Sequence, residues 1–264
     1  MTKPPSWDLG PDEFAWLWKT QTEFDEYEYP DPMQVVETPR DQDEYALVTS
    51  ALVRKYEKGL EPSLRVALQT LATSTVRVCG YGTLADSGQV LRSHVALTET
   101  AGAVLFQRPT AADGRVFRLT VCRPDDALTY FAATLPPAPP GGAGAMHGYT
   151  PRVRGDENVT TWMQSNDGRL PEDERIRKLL RLRRYAEGQV AIESGLRGGR
   201  PLRPAYLSWI DIARGFAAGR YMIEVTETDA IVIPASPDVL IGILRKKVGN
   251  PKDHRRDAEW AHGI

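Results

Sequence analysis

Apolar positions along the chain follow two different periods, and the change of period divides it into segments. In PDEFAWLWKT (11–20), Phe14, Leu17 and Trp18 recur at helical spacing. Pro11 stands where a first helical turn accepts it, and Asp12 and Glu13 suit the positive end of a helix dipole. The acidic stretch EYEYPDPMQVVE (26–37) is broken by Pro30 and Pro32 and is expected to be extended. TPRDQDEYALVTSALVRKYEKGL (38–60) predicts a longer helix, with Thr38 as N-cap and Pro39 at the first helical position. Tyr45, Val48, Leu52 and Tyr56 form its apolar stripe, and Gly59 is its stop. A third helix is expected from Pro62 to about Ala72.

The period then shortens to two. TVRVCGY, QVLRSHVAL, GAVLFQR and RVFRLTV read as four strands separated by turn-forming residues, and a helix starts at Pro124. LPPAPPGGAGAMHG (135–148) is a Pro/Gly-rich linker, and 149–170 is polar, anchored by Trp162 and Met163. After it the order repeats: a helix in LPEDERIRKLLRLRRY, strands in EGQVAIESGL, PAYLSWIDI, GRYMIEVTE and DAIVIPA, and a helix capped by Ser236 with Pro237 behind it. Helix, four strands, helix therefore occurs at 62–134 and again at 171–248. This predicts an α+β fold in which a pseudo-two-fold pair of units, each mainly antiparallel, forms a central sheet with helical bundles. The expected organisation is one domain over 1–264. An N-terminal half (1–134) leads through an irregular segment (135–170) into a C-terminal half (171–248), and a charged tail follows (249–264).

Alternation also sorts strand residues into faces. Val76/Val78, Phe117/Leu119/Val121, Val190/Ile192 and Tyr221/Ile223/Val225 form an apolar set. Arg77/Cys79, Arg92/His94, Arg118/Thr120, Gln189/Glu193 and Arg220/Met222/Glu224 form a second set, read as an open, charged face of the sheet. A face of that kind has no fixed catalytic geometry and suits a protein partner. Arg92, His94, Gln189, Glu193, Arg220, Met222 and Glu224, with Glu99 in a neighbouring turn, are the candidate contact residues.

Composition narrows the function classes. The 264 residues are 41% hydrophobic and 26% charged with net charge −2, so nothing biases the whole chain toward nucleic acid or membrane. No apolar run approaches the roughly 18 residues of a membrane span. The two cysteines, Cys79 and Cys122, suit a reducing compartment, and the N-terminal residues lack an apolar core of the secretory kind, so a cytoplasmic protein is expected.

Candidate chemistry is sparse. Gly80-x-Gly82-x-x-Ala85 spells a dinucleotide turn after a strand, yet Asp86-Ser87-Gly88 and another strand follow it where a phosphate-binding helix is needed. The two glycines are expected at a strand end and its loop. The linker glycines Gly142, Gly144 and Gly148 lack the Gly-Lys-Ser/Thr of a phosphate loop. The histidine–acid pair Glu259-x-x-His262 sits in the tail, so no metal site is expected. Asp211, beside Trp209, reads as a polar group on an open sheet face. An enzyme or nucleotide-binding protein using Gly80/Gly82 or Asp211 is the alternative function. RIRKLLRLRR, with six basic residues in ten, admits a nucleic-acid-touching scaffold, though a solvated helix face accounts for it.

PDEFAWLW (11–18), YPDP (29–32), the 38–60 stretch, SWIDIA (208–213), AGRYMIEV (218–225) and DAIVIPASPDVLIGIL (229–244) together resemble the EspG family in order and spacing across nearly the whole chain. EspG proteins are cytosolic chaperones of actinobacterial type VII (ESX) secretion systems. The resemblance implies a pseudo-two-fold α+β fold and no catalytic residues or cofactor. It also implies a role in binding the tip of a PPE-like client within a PE–PPE heterodimer, which keeps that client soluble until secretion.

Overall fold

The computed structural model describes residues 3–22, 24, 28–108, 116–157, 170–197 and 202–249. Trp162, Met163, the expected turn PTAADG (109–114) and the part of the expected charged tail beyond Gly249, with His254, Glu259 and His262, lie outside them. Ten strands pair antiparallel in the order β1-β5-β4-β3-β2-β7-β8-β9-β10-β6. They are β1 (Ser6–Leu9), β2 (Val76–Leu84), β3 (Val90–Leu97), β4 (Gly102–Arg108), β5 (Val116–Cys122), β6 (Met146–Tyr149), β7 (Arg184–Ser194), β8 (Ala205–Ile212), β9 (Gly219–Val225) and β10 (Asp229–Pro234). The helices are α1 (Pro11–Gln21), α2 (Gln42–Lys55), α3 (Pro62–Thr73), α4 (Pro124–Ala132), α5 (Thr150–Arg154), α6 (Glu172–Leu180) and α7 (Pro237–Gly249). The two predicted four-stranded units are thus halves of one sheet, joined where β2 pairs with β7. Outward from that join the order is β3, β4, β5, β1 on one side and β8, β9, β10, β6 on the other, as a duplicated unit requires.

Helix α1 keeps its predicted start, with Pro11 in the first turn and Asp12 and Glu13 at the positive end. The start of α2 differs from expectation. Its N-cap is Asp41, whose carboxylate accepts from the Glu44 amide at 2.9 Å. Thr38 is engaged elsewhere: its amide donates to Asp12 Oδ1 at 2.7 Å and its hydroxyl to Asp12 Oδ2. None of α2 is fully buried, and Val48, Leu52 and Tyr56 of its stripe are only half-buried. The strands β1 and β6, which alternation does not reveal in four residues each, complete the two edges.

One face of the sheet is covered by α4 and α7, which pack against each other and span the join. Val78, Val95, Val104, Val190, Ile192, Leu207, Trp209 and Met222 point into that layer and meet Leu128, Phe131, Leu240 and Leu244. The opposite face carries two separate caps. On the N-terminal half, α1 and α3 bury Ala96, Ala103, Leu105, Phe117 and Leu119, with the Phe14 and Phe117 rings stacked 4.8 Å apart. On the C-terminal half, Ile176 and Leu179 of α6 cover Ile210, Ile212, Tyr221, Ile223 and Val232. Between the caps, no other described element covers the central strands.

The glycines of the dinucleotide-like motif lie inside β2, where the sequence suggested a strand end and loop. The turn comes later, at 85–89, and no helix follows it. A Cβ on Gly80 would stand 2.8 Å from the Phe131 ring, and one on Gly82 would stand 2.6 Å from Trp209. Gly82 faces Gly188 across the join, where a Cβ would come within 2.7 Å of the same indole. The glycines therefore seat two large aromatic side chains flat on the sheet.

Candidate functional site

Strand register decides which candidate residues share a surface. Gln107 pairs with Arg92, Arg92 with Tyr81, Tyr81 with Gln189, Gln189 with Ser208 and Ser208 with Ile223. Cross-strand partners point to the same side, so these six form one row across the sheet, perpendicular to the strands, on the face with the two caps. Arg77 and Glu193 are partners on the same face, and Tyr206 and Ala191 form another such pair. Arg220, Met222 and Glu224 point to the other side, since Met222 pairs with Trp209 and Arg220 with Asp211.

The expected single open face is therefore corrected. Arg220 is 3% exposed and Met222 2% exposed, both beneath the α4–α7 layer or its rim. Glu224 is half-buried and ion-paired with Lys247 of α7. His94 has the right face but is 1% exposed. Glu99 is exposed in the β3–β4 turn, beyond the open strip. Arg92, Gln189 and Glu193 remain as accessible members on one face. Alternation gives each strand two sets of residues but leaves open which sets of neighbouring strands coincide, and that is where the sorting fails.

Asp211 is also corrected: it is 2% exposed and sits on the covered face. Its two oxygens accept from Arg220 Nε at 2.8 Å and Nη2 at 2.7 Å. Arg220 Nη2 also donates to the Pro136 carbonyl at 2.6 Å, and the guanidinium lies 5.2 Å from the centroid of the Trp209 ring. Burial pushes the Asp211 carboxyl upward against the pull of its partner. This pair ties the start of the 136–142 segment to the sheet.

Over the N-terminal half, residues 28–37 run across the open face as a strap. The His94 Nδ1–H donates to the Asp31 carbonyl at 2.6 Å. The Gln34 amide donates to Gln107 Oε1 at 3.0 Å, and Gln107 Nε2 donates back to the Gln34 carbonyl at 2.8 Å. Arg92 Nη2 donates to Gln34 Oε1 at 3.2 Å while its guanidinium lies 5.6 Å from the Tyr81 ring centroid. Tyr29, Met33 and Val35 add apolar contact to the α1–α3 cap.

The strap also bears on a cysteine–histidine contact. Cys79 Sγ is 3.6 Å from His94 Nδ1, a pairing set by the β2–β3 register. Burial holds the His94 imidazole down to about 4 and pushes the Cys79 thiol up, so both are neutral. The nitrogen near the sulfur carries the proton given to Asp31, so it cannot act as a base toward the thiol.

Among the described residues, no strap crosses the C-terminal half of the strip. A groove of about 460 Å³ opens there, lined by Tyr81, Thr83, Leu180, Arg184, Glu187, Gln189, Ser208, Ile210 and Ile223. Tyr206 is 56% exposed, Val225 49% and Tyr81 45%. Arg184 pairs with Glu187 at the rim and donates to the Leu180 carbonyl at 2.8 Å, closing the C-terminal end of α6. Two more basic residues of the run at 175–184 are also held: Arg183 reaches Asp86 at 3.3 Å, and Arg175 lies 3.7 Å from Glu172 and reaches the Ala143 carbonyl at 3.3 Å. Tyr81 and Tyr206 carry no distinct signal in the sequence, and Val225, assigned there to the apolar set, is exposed. Tyr81 lies between two packing glycines and Tyr206 stands two residues after Pro204, and in each case the only signal is an aromatic residue in phase with polar neighbours.

Among the described residues, no group of three or more His, Cys, Asp or Glu could hold a metal ion, and no helix is long and apolar enough to cross a membrane. The model of the EspG family matches residues 11–246. Among solved structures, the chain is similar to the Mycobacterium tuberculosis type VII secretion system chaperone EspG5, determined in complex with a PE25–PPE41 dimer. The identity is 14%, the TM-score is 0.58, and the match covers 94% of this chain and 96% of that one. No curated protein matches the sequence.

Proposed function

The chain belongs to the EspG family, and we propose that it is a cytoplasmic secretion chaperone that binds the tip of a PPE-like client within a PE–PPE heterodimer. The observation that carries this reading is the uncovered strip on the C-terminal half of the sheet, with Tyr81, Tyr206 and Val225 exposed beside a groove. A shallow surface floored by a rigid sheet suits a protein partner, since it needs no reorganisation before contact. A client tip contributes apolar side chains whose removal from water is worth about 25 cal/mol per Å², before ordering costs. Gln189 and Glu193 border the strip and supply orientation and partner choice. EspG5, the similar structure, was itself captured with a PE–PPE dimer.

The groups that could carry chemistry are engaged in other work, which supports binding over catalysis. Asp211 is tied to Arg220, His94 to the strap, and Gly80 and Gly82 to aromatic packing. The test is co-expression with PE–PPE-like pairs from the same genome and capture on the tagged chain. Wild type should retain a dimer, and Tyr206→Asp should lose it with an unchanged melting temperature, because Tyr206 projects from the sheet into solvent. Capture by Tyr206→Asp at the wild-type level would place the client elsewhere.

A further inference from the structure

The polar row across the open face is used unevenly. Its first half is consumed internally: Gln107 clasps both main-chain groups of Gln34, and Arg92 holds the Gln34 side chain. Its second half, Gln189 and Ser208, continues the same line on the other side of Tyr81. Gln189 is exposed and Ser208 half-buried. The molecule therefore shows on one side what this row does with a segment of chain laid over it.

A carboxamide has a donor and an acceptor in one plane, which matches the N–H and C=O of a single residue. Gln107 uses both at once, with bonds of 3.0 and 2.8 Å. Such a clasp reads the main chain and is indifferent to the side chain attached. It cannot read the interior of a helix, where both groups are already paired within the helix. It can read an extended segment or the connection between two helices, where they are free. The side chains of such a segment would find apolar surface at Tyr81, Tyr206 and Ile223.

We infer that Gln189 clasps the main chain of a non-helical segment of the client as Gln107 clasps Gln34, with the Ser208 hydroxyl as a neighbouring partner. This rests on the reading that a PE–PPE-like client docks on this strip. What it adds is the residue that reads the client and the conformation it reads: the connection at the client's tip, lying beside the strap. A side-chain-blind contact also lets one chaperone accept clients whose tips differ in sequence.

The test is a binding titration of one co-expressed PE–PPE-like dimer against wild type, Gln189→Leu, Gln189→Glu and Tyr206→Asp, with melting temperatures measured in parallel. Leucine keeps the size and removes both hydrogen-bonding groups; glutamate keeps an acceptor and removes the donor. Both Gln189 variants should bind about tenfold more weakly, the scale of losing one or two hydrogen bonds at an interface, and melt as wild type does. Equal loss from Leu and Glu is the signature of a clasp that needs donor and acceptor together. Wild-type binding by Gln189→Leu, or by Gln189→Glu alone, overturns the clasp; if Tyr206→Asp then still abolishes binding, the docking surface stands without it. Undiminished binding by all three variants overturns both.

Discussion

The pair Asp211–Arg220 offers the sharpest test of how the sheet is covered. Read from sequence, both residues belong to an open face, where replacing a charge changes stability little. In the structure they are 2% and 3% exposed and joined by two bonds of 2.8 and 2.7 Å. Arg220→Met leaves a carboxylate with no cationic partner in a place closed to water. Breaking a buried pair from one side costs about 3–5 kcal/mol, a large part of the 5–15 kcal/mol typical of a folded domain. The same substitution also frees the Pro136 carbonyl, held at 2.6 Å. Asp211→Leu should cost a similar amount by stranding the guanidinium. The double variant Asp211→Leu/Arg220→Met removes both charges and should be much less than additive, with a coupling of several kcal/mol. Urea unfolding of the four proteins at neutral pH measures the cycle. A second readout is acid. Burial already raises the folded-state affinity of Asp211 for a proton, and loss of Arg220 raises it further. A carboxyl whose folded pKa exceeds its unfolded value regains stability as pH falls through the folded value. The deficit of Arg220→Met should therefore shrink on acidification toward pH 4. Single variants within 1 kcal/mol of wild type, with additive effects, would refute the burial of this pair.

Two further outcomes follow from groups beneath the strap and at the sheet join. His94 is held at about 4 by burial, against an ordinary value of 6.5, so the unfolded chain binds its proton first and stability falls as pH drops below 6.5. Between pH 7.5 and pH 5 this histidine should cost about 2 kcal/mol, and His94→Gln should remove that pH dependence in denaturation curves; an unchanged slope would show that His94 is not buried in its neutral form. Gly82→Val should destabilise by about 1–3 kcal/mol through collision with Trp209, while calorimetry with ATP and NAD gives no binding heat for either protein; nucleotide heat in wild type that is lost in the variant would restore the dinucleotide reading.

Much of the fold is legible in the chain because local signals agree with it. The helix starts at Pro11, Pro62, Pro124 and Pro237 combine a proline with a fixed place in the first turn, and the strands between them alternate cleanly. The repeated order of elements carries the pseudo-two-fold sheet. The start of α2 is missed because Thr38 and Asp41 are both good caps, and a contact 26 residues away with Asp12 decides between them. The surface is missed for a deeper reason. On the face with the two caps, the central strands pass from covered to open regions, so burial changes along a strand and not only across it. Arg92 and Arg220 look alike in sequence; one edges the strip and the other is sealed under Trp209 and Pro136. Only the register, fixed by the Tyr81–Gln189 join, separates them.

The strap makes the two halves of a duplicated fold unequal, and this has a consequence for binding. A symmetric sheet with two open strips would offer two like surfaces on either side of the join. Here residues 28–37 are laid over β3 and β4, satisfying Gln107, Arg92 and His94 and adding Tyr29, Met33 and Val35 to the cap. No segment among the described residues crosses β7 and β8 in the same way, so Gln189 and Tyr206 stay exposed and Ser208 half-buried. A strap continuous with the chain occupies its half at high effective concentration, so a client could displace it only by making better contacts than Gln34 and Asp31 already make. On the proposed reading one client therefore binds per chain, on the C-terminal half. Among the described residues, the asymmetry arises from a proline-broken segment, 28–37, that is laid over the first half alone.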